Sequence, residues 1–589
     1  MYGWTGKILH LDLTLRRHTT ITLAPEIYST RIGGKGLAGY FLGQKGALDW
    51  DDPDLPLCFF TGPLVATIAP TSGRGAAMCR SPLTNAVADA SVGGAFATAL
   101  KRAGWDGFVA TGMADGLCGI EIRDSQVTFH DARHLAGYTT DKVVDACTGK
   151  GATLSIGPAA ENRVRFASLG VDRHHAAGRG GLGLCFAARN LKYVTAHGTG
   201  RVKVYDPAGL KAARAEIMRL TAASPVLMGQ HGFVCYGTGA LFDLMHSRRM
   251  MPTDNFTTTR FDHAPEVNAA VFKARFQPEK HGCKGCHIFC KRVAASGRAM
   301  PEFETMSHFT ALVGNLDPEL VVAANHLCNT LGMDTITAAA TLACYREIEG
   351  RDFKPGEILA LLDDIGHARG VGRELGQGSL RFAASRGRPE TSMSAKGLEF
   401  PAYDPRGAYG MALGYAVATR GGCHLRAYPI SHEILRKPVA TDRFTFSGKA
   451  RIIKISEDLN AVVDSLTACK FVFFAASLEE YAKAFTAVTG QESTAQDLLA
   501  AGERIYYNER ILNARYGLDA RHDDLPARFF DEPGASGEGI DITPLNRADF
   551  LDARARYYRI RGLDENGRPR ADVAERLGLE WKEEEGQKD

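Results

Sequence analysis

Short apolar runs broken by turn residues fill the first 200 positions: KILHLDL, LCFFTG, GFVATG, GIEIR and RFASLGV alternate with Gly, Pro and Asp. Runs of this kind predict short strands and a β-rich N-terminal domain, residues 1–205. Their spacing is too irregular for a repeated βαβ unit. From about residue 207 the texture changes. In PAGLKAARAEIMRLTAAS and PELVVAANHLCNTLG apolar residues recur at three and four, as amphipathic helices require. The stretch 355–383 continues that pattern. Polar and turn residues crowd together near 385–402 (SRGRPETSMSAKGLEFPA), which predicts a boundary. The helical texture then resumes. The pattern predicts an α+β chain: a β-rich N-terminal domain, then two mainly α-helical domains, 206–395 and 396–589. The charged tail WKEEEGQKD predicts a frayed, solvated end.

At 589 residues the chain is too long for one hydrophobic core. With 45% hydrophobic and 23% charged residues it has the balance of a globular protein. A net charge of only +3 argues against a nucleic-acid partner, which calls for a concentrated basic surface. No apolar run reaches the roughly 18–20 residues that span a bilayer. MYGWTGKILHLDL lacks the basic region and apolar core of a secretory signal. No membrane partner is expected, and the expected location is the cytoplasm. Of the 13 cysteines, Cys58, Cys79, Cys118, Cys147, Cys185, Cys235, Cys328, Cys344 and Cys423 stand alone. In a reducing compartment these are expected to be free thiols packed as small apolar residues.

HGCKGCHIFCKR is different. Cys283, Cys286 and Cys290 form a C-x2-C-x3-C arrangement, and thiolates this close usually hold a soft metal. A zinc site would take its fourth ligand from His281 or His287. A four-iron cluster would take a fourth cysteine from elsewhere. The spacing reverses the C-x3-C-x2-C of radical enzymes that use S-adenosylmethionine, and this segment alone leaves zinc and iron–sulfur both open. Gly178-Arg179-Gly180-Gly181-Leu182-Gly183 matches G-x-G-x-x-G. A dinucleotide loop follows a buried strand, opens a helix and has an acid about 20 residues on. Here the glycines follow His174-His175-Ala176-Ala177, and GTGRVKVY supplies no acid, so a nicotinamide loop is not expected. Three further segments stand out. Asp464 precedes Cys469 in DSLTACKF. Asp334, in GMDTITA, lies between two helical patterns and suits a helix N-cap. His424 sits in the glycine-rich TRGGCHLRAY between Arg420 and Arg426, where backbone can approach a ligand closely.

Together these segments resemble the aldehyde ferredoxin oxidoreductase family of tungsten enzymes. The resemblance runs over nearly the whole chain. It starts at MYGWTGKILHLDL and IGGKGLAGY, and continues through TGPLVATIAPTSGRGAAMCRSPLTNAVADASVGG, LKRAGWDGFVATG, AAGRGGLG and ARNLK. It extends through the cysteine cluster, MPEFET, GMDTITA, RGGCHLRAY and DSLTACKF. It implies that the N-terminal domain is a base for two pyranopterin dithiolenes sharing one tungsten (or molybdenum, since pterin sulfurs bind either), covered by the helical domains.

What the resemblance implies of single residues follows motif by motif. Cys283, Cys286, Cys290 and Cys469 match the ligands of a [4Fe–4S] cluster, which removes the need for zinc. Asp334 and Asp464, with Ala468 beside the latter, match the acids that hydrogen-bond the two pterins. Arg74, Gly93, Gly94, Gly178, Arg179 and Gly180 match positions near cofactor phosphates. Ser91 and Ala176 match the backbone positions around a magnesium ion bridging those phosphates. His424 and one of Glu302 and Glu304 match the catalytic pair. The implied reaction takes an aldehyde and water to a carboxylic acid, or the reverse. Tungsten cycles between its +6 and +4 states, and single electrons pass through the cluster to a ferredoxin or a small iron–sulfur subunit; a homodimer or hetero-oligomer is the implied assembly. An aryl-CoA dearomatising reductase subunit is the alternative within the family, and a non-catalytic electron-transfer or scaffold subunit the alternative outside it. Ser91 stands where Asn is often seen, His175 where Arg is, and Thr467-Ala468 where Gly-Leu is common. None of these departures is expected to touch a cluster cysteine.

Overall fold

The computed structural model describes residues 1–582. Among the described residues, twelve N-terminal strands form two six-stranded mixed sheets. β1 (Ile8–Asp12), β2 (Arg17–Ile21), β3 (Leu57–Thr61), β4 (Gly75–Arg80), β5 (Val87–Val92) and β6 (Gly107–Thr111) lie in the order β2-β1-β6-β3-β4-β5. β7 (Cys118–Arg123), β8 (Gln126–Asp131), β9 (Ala152–Ser155), β10 (Leu169–Val171), β11 (His175–Ala177) and β12 (Leu191–His197) lie in the order β11-β10-β9-β12-β7-β8. One parallel pair in each sheet, β1 with β6 and β7 with β12, interrupts otherwise antiparallel ladders. Burial explains the composition. β3 and β4 are buried at every position and are correspondingly apolar, whereas the edge strands β2 and β8 carry the charged and hydroxylic residues.

The hairpin of β13 (Glu279–His281) and β14 (Lys291–Val293) carries the C-x2-C-x3-C segment in its loop. The helices that position the site are α1 (Gly34–Gly43), α2 (Leu182–Ala187), α3 (Pro207–Ala222), α4 (Phe303–His308), α5 (Pro318–Leu331), α6 (Thr335–Glu349), α7 (Lys449–Leu466), α8 (Ala495–Arg515) and α9 (Arg547–Arg561). Proline at the first position and an Asp cap start α3 and α5, where the proline's missing N–H costs nothing. The glycines of IGGKGLAGY have a packing cause. A methyl group on Gly34 would stand 2.3 Å from the Asp464 carbonyl oxygen, and one on Gly62 would stand 2.2 Å from that of Leu466. Only glycine lets α1 and the β3 turn receive the end of α7, which delivers Asp464 and Cys469.

Two expectations change. The Gly178–Gly183 loop does join a strand to a helix, since β11 ends at Ala177 and α2 starts after Gly181. β11 is a three-residue edge strand held by antiparallel pairing with β10 rather than by apolar side chains, which is why its sequence does not read as a strand. An antiparallel edge followed by a six-residue helix is still not the parallel βα unit of a dinucleotide fold. The polar stretch 385–402 contains the hairpin β15 (Ser394–Ala395) and β16 (Leu398–Glu399), and the fully buried Glu399 accepts hydrogen bonds from the Thr337 and Ser379 hydroxyls. Its polar residues serve buried hydrogen bonds. Of the charged tail, Trp581 packs partly buried against the core, and residues 583–589 lie outside the described residues.

Candidate active site

A cavity of about 340 Å³ is lined by β5, the loop before α2, the β13–β14 loop, α4, the α5–α6 turn, the 420–428 turn and Cys469–Phe471. It gathers Arg74, Ser91, Gly93, Ala176, Gly178, Arg179, Cys283, Cys286, Cys290, Glu302, Glu304, Asp334, His424 and Cys469. Gly94, Gly180, Asp464 and Ala468 stand behind the lining.

All four cysteines are free. Cys469 reaches the other three because Thr467, in the left-handed conformation (φ 54°), ends α7, after which the Cys469 N–H bonds to the Thr71 carbonyl. The Thr467 hydroxyl oxygen accepts from the Gly62 N–H at 3.0 Å, which offsets the cost of a β-branched residue where glycine is the easy choice. Burial pushes the Cys469 thiol up to about 11, partly offset by Arg74, and pushes Cys290 well above its usual range. Among the described residues no three His, Cys, Asp or Glu groups converge on a point that holds a single metal ion. Gly93 is required beside this cluster, because a methyl there would stand 2.2 Å from Cys283 Sγ. One expectation fails. His175 does touch the cluster: its Nε2 lies 3.7 Å from Cys283 Sγ, since β11 aims its first residue at the β13–β14 loop.

The arginines hold the anionic side of the cavity. Arg74 Nε donates to Ser91 Oγ at 2.9 Å and its Nη2 to the Ser91 carbonyl at 2.7 Å, so serine at this position fixes the guanidinium. Asp334 caps α6 by accepting from the Ile336 N–H at 3.1 Å, and its other oxygen accepts from Arg179 Nε at 3.2 Å. The cap and the cavity contact are made by one side chain. Asp464 lies 2.8 Å from Lys470 Nζ and 3.4 Å from Arg426 Nη2, while its Oδ1 has no hydrogen-bond partner among the described residues. Burial opposes its charge, but Lys470 and Arg426 hold it below the usual carboxylate range. Arg426 also pairs with Asp89 of β5, which in turn lies 3.4 Å from Lys35 of α1.

The two glutamates separate clearly. Glu302 precedes α4 and pairs at 3.3 Å with Lys291, its side chain 45% exposed. Glu304 turns inward, where its Oε2 accepts from the Ala402 N–H at 2.6 Å and its Oε1 approaches His424 Nε2 at 3.4 Å. That approach lacks hydrogen-bond alignment, and among the described residues neither Glu304 Oε1 nor His424 Nδ1 has a hydrogen-bond partner. Burial pushes the Glu304 carboxyl up to about 8, and burial reinforced by Arg179 and Arg420 depresses His424 well below its usual range. At neutral pH both are predominantly uncharged. The contact is a neutral acid beside a neutral imidazole rather than an ion pair.

Two residues escaped the sequence reading. Tyr403 and Tyr428 pack their rings 5.5 and 5.7 Å from His424, and their hydroxyls lie 3.1 Å apart. Tyr428 adopts a positive φ of 51° and donates its N–H to the His424 carbonyl at 2.9 Å, so one turn sets both side chains. The only sequence signal for it was proximity to His424 in RGGCHLRAY.

The sequence and the architecture have known counterparts. Family models described as the N-terminal domain and as domains 2 and 3 of aldehyde ferredoxin oxidoreductase match residues 8–198 and 212–579. Over 98% of its length the chain is 34% identical to a tungsten-containing aldehyde ferredoxin oxidoreductase of Thermococcus kodakarensis and 35% identical to one of Pyrococcus furiosus, covering 99% of each. An aliphatic sulfonate oxidoreductase, WOR-like subunit, of Pyrococcus furiosus is 27% identical, with 98% of this chain and 97% of that one covered. In fold, the chain is similar to the active-site complex of benzoyl coenzyme A reductase, with a TM-score of 0.83 at 20% identity over 98% of this chain and 97% of that one. The chain belongs to the aldehyde ferredoxin oxidoreductase family.

Proposed function

We propose that this oxidoreductase is a tungsten enzyme that oxidises an aldehyde and water to a carboxylate, three protons and two electrons. The observation that carries the reading is the gathering, around one cavity, of four free thiols, an acid–imidazole couple and two acids held by cations. When bound, a tungsten bis-pyranopterin supplies the two-electron acceptor and a [4Fe–4S] cluster the one-electron path to a ferredoxin.

The side chains suit those groups. Four partly buried thiols that face one cavity without meeting at a point match the spread corners of a polynuclear cluster, and a positive metal would offset the burial that opposes their ionisation. Arg74 and Arg179, with the backbone at Gly93, Gly178 and Gly180, suit phosphate oxygens. Asp334, and Asp464 through its free Oδ1, suit the N–H edges of pterins, with Ala468 packing behind. Magnesium between Ser91 and Ala176 has less support. The Ser91 carbonyl already accepts from the Arg74 guanidinium, so a cation there would meet a like charge.

Glu304 is the proton acceptor, because it titrates near the working pH whereas His424 stays neutral. His424 and the tyrosine hydroxyls orient the aldehyde oxygen, and Leu241, Phe303 and Phe471 keep that part of the cavity apolar. Glu302, paired with Lys291 at the rim, takes a structural part. Thirteen unpaired cysteines support a reducing compartment, and among the described residues no helix is long and apolar enough to cross a membrane.

The test is elemental analysis of anaerobically purified protein together with aldehyde-dependent reduction of a viologen dye. About one tungsten and about four iron per chain, with turnover of at least one simple aldehyde, is the expected result. Zinc without iron, or full metal with no aldehyde turnover, overturns the reading.

A further inference from the structure

The segment that carries the three clustered cysteines is strongly cationic in a chain of net charge +3: residues 273–298 contain seven Lys or Arg and one acid, Glu279. Some of these cations are committed elsewhere. Arg275 pairs with Glu319, Lys291 with Glu302, and buried Arg292 donates to the Phe233, Val234 and Phe289 carbonyls. Lys280 and Lys284 are exposed, and among the described residues neither has an ion-pair partner. Arg214, on the solvent face of α3, is also exposed and, among the described residues, unpaired, and it lies close enough for its charge to bear on His287.

Between Cys286 and Cys290 stands Phe289, 41% exposed and held at φ 49°. Its ring folds over Gly282, where an added methyl group would lie 3.0 Å from it. An exposed aromatic ring thus sits on the outside of the thiol-bearing loop, with unpaired cations around it. A permanent subunit interface is broad and apolar. A small charged patch with one aromatic contact suits a brief, salt-sensitive encounter.

We propose that Phe289 with Arg214, Lys280 and Lys284 is the docking surface for a freely diffusing, acidic ferredoxin. The proposal rests on the reading of Cys283, Cys286, Cys290 and Cys469 as ligands of a [4Fe–4S] cluster. One electron leaves the reduced cluster and enters an oxidised cluster of the ferredoxin. No bond forms or breaks, and no proton moves. The cations draw the acidic carrier to the face that carries the Cys283–Cys290 loop, and the Phe289 ring would exclude water from that contact.

The test compares the holoenzyme with the variant Arg214→Glu/Lys280→Glu, whose changes lie outside the cysteine motif. Two acceptors are used in turn: a small acidic two-cluster bacterial ferredoxin, and benzyl viologen. At low salt the variant should lose at least about tenfold in kcat/KM for the ferredoxin. The loss should shrink as salt rises from about 50 to about 500 mM, because screening weakens attraction in the wild type. Iron content and viologen turnover should match the wild type. An unchanged ferredoxin rate at low salt, or a wild-type ferredoxin rate indifferent to salt, overturns the docking surface while viologen turnover leaves the enzyme reading standing. A tightly bound iron–sulfur subunit co-purifying with the chain overturns the diffusing partner. Absence of iron, or of turnover with both acceptors, brings down the underlying reading and this proposal with it.

Discussion

Replacing Glu304 by Gln tests the proposed chemistry at one atom. The carboxyl is pushed by burial from its ordinary 4.5 up to about 8. If its ionised form accepts the proton, about 1% is competent at pH 6 and about 10% at pH 7, because each pH unit below the pKa costs tenfold. In kcat/KM for a neutral aldehyde, with benzyl viologen as acceptor, the wild type should therefore rise about tenfold from pH 6 to 7 and about fivefold from pH 7 to 8, then level off. An ordinary carboxylate would already be ionised at pH 6 and would show no such limb. Glu304→Gln keeps the size and can still accept from the Ala402 N–H, so the cavity wall should hold. The variant should lose the limb and fall roughly 10²–10⁴-fold below the wild-type plateau. Stability supplies an independent sign. Between pH 4.5 and 8 the folded carboxyl binds more protons than the unfolded one, so wild-type stability erodes as pH rises, by about 1.4 kcal/mol per unit at most. Gln carries no such term, so its thermal midpoint relative to wild type should improve from pH 6 to pH 8. A wild-type profile flat across this range, or the same limb surviving in Glu304→Gln, would refute Glu304 as the proton acceptor.

Other side chains give separate readouts. Cys469→Ala should lose cluster iron and the cluster's visible absorbance while tungsten stays bound; a full [4Fe–4S] signal removes Cys469 from the ligand set. His424→Ala should keep both metals at wild-type content and lose about 10²–10⁴ in turnover, and an undiminished rate excludes it from the chemistry. His175→Ala removes a ring nitrogen 3.7 Å from Cys283 Sγ, one that would donate its N–H to a cluster thiolate. Hydrogen bonds to cluster sulfur favour the reduced form, so a spectroscopic redox titration should find a more negative midpoint, about 59 mV for a tenfold change in the one-electron equilibrium. An unchanged midpoint makes His175 a packing residue only.

What the sequence disclosed depended on how local each cause was. Cys283, Cys286 and Cys290 announced themselves because one hairpin loop carries all three. The helix start at Asp334 was readable from its N-cap pattern, although its pairing with Arg179 came from a segment 155 residues away. Family resemblance, not periodicity, pointed to Cys469 and Asp464, and the structure shows why: their delivery depends on glycines of α1 and the β3 turn, remote in sequence. β11 was missed because cross-strand pairing, not apolarity, makes it a strand. The buried place of Glu399 was not readable because its hydroxyl partners, Thr337 and Ser379, lie elsewhere in the chain. Glu302 and Glu304 cannot be told apart along the chain, since they differ only in the direction each takes around the start of α4.

The buried charges behind the cavity extend this logic. Lys35 on α1, Asp89 on β5, Arg426 in the 420–428 turn, and Asp464 and Lys470 around the end of α7 form a chain of opposite charges with side chains almost wholly buried except Lys470. Taking such ions from water costs several kcal/mol each, and well-packed apolar residues would stabilise a fold as well or better. Burial lowers Lys35 to about 7 and Lys470 to about 8, while Asp89, pulled down by Arg426 and Lys35, stays ionised. Stability alone therefore gives no reason for these groups. Position does. Arg426 and Lys470 reach the cavity wall, and each is tied by Asp464, with Asp89 fixing Arg426 from the sheet side. An anion entering this space would meet donors already oriented by the fold, and their reorganisation would have been completed when the chain folded. The sheet, the glycine-rich helix α1 and α7 thus contribute to the site chiefly through charge, each holding one member of the set that fixes Arg426 and Lys470 at the cavity wall.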